Sequence, residues 1–89
     1  MGKKILVVDD EKDYQKLVKL TLEQAGFSVT TASDGEEALV KLEKEPPALM
    51  ILDLNMPRMD GYEVCRRVRS DSRLRALPII MLTVRRKPR

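Results

Sequence analysis

There is no histidine in these 89 residues, there is one cysteine, and aromatic side chains make up only 3% of the chain. Without histidine, zinc chemistry is not expected. A lone Cys65 cannot close an internal disulfide, which fits a reducing compartment such as the cytoplasm. Scarce aromatics leave the core to aliphatic side chains. No apolar run approaches the roughly 20 residues of a membrane helix, and the N-terminus has no secretory apolar segment. Met1-Gly2 opens like a myristoylation signal, but Leu6 stands where Ser or Thr is required. No G-x-G-x-x-G follows the first apolar run and no Walker A is present, so a nucleotide-binding half-domain is set aside.

What is there suits one globular domain, with 43% hydrophobic and 35% charged residues. Residues 1–89 are expected to form that single domain. The net charge of +3 is unevenly placed. Arg85, Arg86, Lys87 and Arg89 hold four of the 17 basic residues, which leaves 13 against 14 acidic ones in the rest of the chain. The tail reads as a solvated end. Four charges without aromatic or motif context do not make a nucleic-acid site.

Two periods alternate along the chain. Lys4-Ile5-Leu6-Val7-Val8 is a continuous apolar run with the pattern of a fully buried strand. From Lys12 the spacing becomes helical, with Tyr14, Leu17, Val18, Thr21, Leu22 and Ala25 on one face, and Gly26 follows as a helix-ending residue. Phe27 to Thr31 alternates like a half-buried strand. Ser33-Asp34-Gly35-Glu36 reads as a capping box with Ser33 as N-cap, ahead of a helix with Ala38, Leu39 and Leu42 inward. Pro46-Pro47 stops that helix. Leu49 to Leu52 is a second buried strand, ending in Asp53. Asp60 caps a third helix, with Tyr62, Cys65 and Val68 as its apolar face and Val64 beside them. Ser70 to Ala76 is a polar connection. Pro78 to Leu82 is a third buried strand, ending at Thr83. Alternation of this kind demands a parallel α/β sheet with helices on both faces.

The strand ends carry the chemistry. In a parallel sheet they share one edge, so Asp9, Asp10 and Asp53 converge with the Thr83 hydroxyl. Acid-rich sites lacking His and Cys suit a hard cation, Mg²⁺ above others. A carboxylate beside such a cation and a hydroxyl can act as a nucleophile on phosphorus, forming an aspartyl phosphate.

These residues resemble a known family. Ile5-Leu6-Val7-Val8-Asp9-Asp10-Glu11, Ala32 to Ala38, Asp53-Leu54-Asn55-Met56-Pro57-Arg58-Met59-Asp60-Gly61-Tyr62-Glu63 and Pro78 to Thr83 look like the receiver domain of two-component response regulators. The likeness runs without gaps from the first strand to Thr83. It implies a flavodoxin-like (CheY-like) sheet of strand order 2-1-3-4, of which (βα)3β is visible here. It also implies that a sensor histidine kinase or phosphotransfer protein passes a phosphoryl group to Asp53. Mg²⁺ would be held by Asp10, Asp53 and the backbone carbonyl of Asn55, with Asp9 helping through water. Thr83 would be the switch hydroxyl. A receiver of this kind is a signalling switch rather than a turnover enzyme.

The family's last helix-strand-helix is not in the chain, so a C-terminally truncated receiver is expected. Lys87-Pro88 imitates the family's Lys-Pro pair but lies too close to Thr83 to follow a crossover. Self-association through the fourth strand is therefore expected. The competing role is a receiver remnant that is not phosphorylated and serves as a structural or oligomerising module. An aspartate-nucleophile phosphatase fits less well, because Asn55 stands where a second acid is wanted.

Overall fold

The strands form where branched aliphatic residues run uninterrupted. A computed structural model describes residues 2–54, 56 and 59–82. The order is β1 (Lys4–Val8), α1 (Lys12–Gln24), β2 (Ser28–Ala32), α2 (Gly35–Lys44), β3 (Leu49–Asp53), α3 (Gly61–Ser70) and β4 (Ile79–Leu82). All pairings are parallel and the strand order is β2-β1-β3-β4. Val8 lies opposite both Ala32 and Leu52, and Asp53 lies opposite Leu82. The C-terminal ends of the four strands therefore meet along one edge.

Alternation divides the core into two layers. On one face Leu6, Val8, Met50 and Leu52 pack with Ala38 and Leu42 of α2, Val64 and Val68 of α3, and Leu74 and Leu77. Burying each of the larger side chains contributes about 1.5–3 kcal/mol. The other face is thinner: Ile5, Val7 and Val29 pack with Val18 and Leu22 of α1, and with Leu49 and Ile51.

Docking corrects several details. The inward face of α1 is Gln15, Val18 and Leu22, rotated from the one expected, while Leu17 is 58% exposed and Thr21 and Ala25 face solvent. The pattern of α1 supports two overlapping stripes, and the side facing β1 and β2 is narrow. Asp34, not Ser33, is the N-cap of α2: its side chain accepts from the Glu37 backbone N–H at 2.8 Å. Glu37 rather than Glu36 reaches back, accepting from the Ser33 N–H. A carboxylate is the stronger acceptor at a helix N-terminus. On α3, capped by Asp60 as expected, Gly61, Val64 and Val68 face inward and Cys65 is half-buried. Tyr62, expected in the core, is 64% exposed, because it lies one residue off the i, i+3, i+7 line of that face.

The connection after α3 is not wholly polar in role. Its turns bury Leu74 and Leu77, held by hydrogen bonds from Leu74 N–H to Asp71 and from Leu77 N–H to Leu74. Finally, β4 is less buried than its sequence suggests. Among the described residues it pairs only with β3, and Ile80 is 49% exposed.

Candidate functional site

Each acidic residue is brought to the sheet edge by a different local device. The Asp9 N–H prolongs the β1–β2 ladder by donating to the Ala32 carbonyl at 3.0 Å. Its carboxylate turns back to accept from the Glu11 N–H at 2.9 Å, an Asx-type turn that ends the strand and starts α1. Asp10, next in the chain, is exposed. Asp53 is the last residue of β3 and, like Asp9, is only 1% accessible.

Asp9, Asp10 and Asp53 each offer a carboxylate oxygen, and these oxygens all lie within 4.8 Å of one another. Two buried carboxylates and a third beside them repel strongly unless a cation is shared. An all-oxygen set matches a hard divalent ion, whose octahedral shell spans about 4 Å between opposite ligands. The donor set thus fits Mg²⁺. The spread of the oxygens suits a mixture of direct and water-bridged ligands.

Behind Asp53, the loop to α3 is drawn tight. The Gly61 N–H donates to the Leu54 carbonyl at 3.2 Å, and the Leu54 N–H donates to Leu82 at 3.3 Å. A Cβ on Gly61 would lie 2.7 Å from the Asp53 carbonyl oxygen, so only glycine fits here. The end of β3, the start of α3 and the end of β4 are locked together through Asp53 and Leu54. Asn55 and Thr83, expected as a metal-ligating carbonyl and a switch hydroxyl, lie outside the described residues, as does Lys87.

Two residues around the site escaped the sequence reading. Gln15 of α1 is 7% accessible, and its amide donates to the carbonyls of Asp9 at 2.8 Å and Ala32 at 3.1 Å. Its signal was its place three and seven residues before Val18 and Leu22, a polar residue on an apolar stripe. Lys12 donates to the Ser33 hydroxyl at 2.8 Å, tying the start of α1 to the loop after β2. Nothing in its spacing marks it.

Comparison with known proteins gives the family and the fold. Residues 5–89 match the family described as response regulator receiver domain. The chain is 51% identical over 85 residues to the alkaline phosphatase synthesis transcriptional regulatory protein PhoP of Bacillus subtilis, covering 96% of this chain and 35% of that protein. The chain thus spans about a third of the length of that curated relative. Among solved structures, it resembles chemotaxis response regulator CheY4 of Vibrio cholerae with a TM-score of 0.91 and 42% identity, covering 99% of this chain and 73% of that one. It also resembles the N-terminal domain of a response regulator receiver protein from Methanoculleus marisnigri, with a TM-score of 0.90, 40% identity, and coverage of 93% and 68%.

Proposed function

Because this chain belongs to the response regulator receiver domain family, we propose that it accepts a phosphoryl group on Asp53. Its fold is the CheY-like parallel α/β arrangement, and membership of the family makes it a signalling module of two-component systems. The convergence of Asp9, Asp10 and Asp53 at the sheet edge carries the proposal. The donor is a phosphohistidine on a sensor histidine kinase or phosphotransfer protein; this chain has no histidine and cannot supply one.

In the transfer, an Asp53 carboxylate oxygen attacks phosphorus. An O–P bond forms as the P–N bond to the donor imidazole breaks, and the electron pair stays on that nitrogen, which takes up a proton. Asp9, Asp10 and Asp53, with the backbone carbonyl of Asn55, would hold Mg²⁺. When bound, it supplies positive charge against the oxygens of the transferring group. Asp9 and Asp10 set their carboxylates at the edge beside Asp53, while the strand end fixes the direction of Asp53. Thr83 would donate its hydroxyl to a phosphoryl oxygen. Residues 1–89 would act as one domain in the cytoplasm, without membrane or nucleic-acid contacts. No helix among the described residues is long and apolar enough to cross a membrane.

The test is intact-protein mass after incubation with Mg²⁺ and a small phosphodonor such as acetyl phosphate. One added phosphoryl group, lost in Asp53→Asn, is expected; no adduct on the parent chain overturns the proposal. A second role rests on β4, whose Ile80 and Met81 are exposed at the sheet edge. The opposite edge is blunted by polar Ser28 and Thr30 and by the Lys41 ammonium donating to the Thr31 carbonyl, whereas β4 is uncharged throughout. An apolar edge of this kind pairs readily with another strand. We propose self-association there, as a structural or oligomerising role that would persist without phosphorylation. A monomer in sedimentation velocity at micromolar concentration would refute it.

A further inference from the structure

We propose that Gln15 is a positioning residue for the acidic site, setting its affinity for a divalent cation. The inference rests on the cation site proposed above and deepens it. The Gln15 amide is buried and spends hydrogen bonds on two carbonyls, those of Asp9 and Ala32, at the ends of β1 and β2. The Asp9 carbonyl belongs to the peptide that joins Asp9 to Asp10. Two of the three converging carboxylates hang from the two sides of that peptide plane.

The Asp9 side chain is further held by the Glu11 N–H. Asp10 is exposed, and the place of its carboxylate beside those of Asp9 and Asp53 depends on the orientation of its own backbone. Gln15 holds that orientation from inside the fold. An apolar residue at position 15 would continue the Val18 and Leu22 stripe, but without the two hydrogen bonds the peptide could rotate and carry Asp10 outward. Outer partners that orient metal ligands commonly change affinity by about 10- to 100-fold.

The experiment measures Mn²⁺ binding, by electron paramagnetic resonance of the free ion, to the 89-residue chain and three variants. Gln15→Met keeps size and removes both hydrogen bonds. Gln15→Leu does the same while extending the apolar stripe, which guards against a folding defect. Val18→Ala loosens the same helix face without touching Asp9. We expect Mn²⁺ binding about tenfold weaker or worse in both Gln15 variants, with unfolding midpoints no lower than that of Val18→Ala. Val18→Ala should unfold earlier yet bind Mn²⁺ normally. The Asp10 amide resonance should move in the Gln15 variants and stay in place in Val18→Ala. Unchanged affinity in the Gln15 variants overturns the inference, as does an equal loss in Val18→Ala. Failure of the parent chain to bind Mn²⁺ overturns the cation site itself and Gln15's role with it, and that arm separates the two failures.

Discussion

Gly61 stands against the carbonyl of Asp53 so closely that a Cβ would come within 2.7 Å of its oxygen and of Leu54 Cδ2. The first residue of α3 is thereby pressed onto Asp53, whose carboxylate we propose as the phosphoryl acceptor. Gly61→Ala must push that strand end away, at about 1–3 kcal/mol of stability by urea unfolding. Phosphoryl acceptance should fall more than stability does, since the Asp53 backbone itself moves. Gly26→Ala is the contrast: φ is +101° but the added Cβ meets nothing within 4 Å. It should cost about 1 kcal/mol through the backbone alone and leave phosphorylation intact.

Asp53→Asn should act with opposite sign on stability and on cation response. Without divalent ions, removing one charge from three crowded carboxylates is expected to raise the unfolding free energy by about 1 kcal/mol. With Mg²⁺ at about 100 times its dissociation constant, the parent should gain about 2.7 kcal/mol and the variant markedly less. Urea titrations with chelator and with Mg²⁺ check both signs. An Asp53→Asn chain that gains as much from Mg²⁺ as the parent contradicts the site.

Burial separates residues that a helical plot treats alike. Leu42 is fully enclosed between α2 and the sheet, so Leu42→Ala should cost about 2–5 kcal/mol. Leu17 and Tyr62 look apolar and inward by spacing but stand in solvent. Alanine at either should change stability by no more than about 0.5 kcal/mol in urea unfolding.

Glu63 accepts hydrogen bonds from Arg66 and from Arg67, which lower its pKa from 4.5 to about 2. A carboxyl depressed on folding contributes stability that is present above its unfolded pKa of 4.5 and lost as pH falls toward 2. The cluster lies on the outside of α3, so salt weakens it and its share of the total is small. Nuclear magnetic resonance titration of the Glu63 carboxyl should show a midpoint near the lower value. The double variant Arg66→Ala/Arg67→Ala should return it toward 4.5.

The sequence by itself determined the frame. Ile5 to Val8 and Met50 to Leu52 are apolar without a break, short and rich in branched side chains, which is the pattern of strands covered on both faces, and the acids that follow them emerge at the sheet's C-terminal edge. Gly26 and Asp60 were legible for the same reason: backbone conformation and capping are local, and the residues that decide them are neighbours in the chain.

Tertiary structure decided the rest. Which stripe of α1 faces the sheet depends on where β1 and β2 lie, and so Gln15 rather than Leu17 came to sit beneath the Asp9–Asp10 peptide. Leu74 and Leu77 entered the core from a turn with no period to announce them. Asp34 displaced Ser33 as cap because of one residue's difference in where α2 begins. The convergence of three carboxylates within 4.8 Å arises between residues more than 40 positions apart, and only the register of β1 against β3 brings it about.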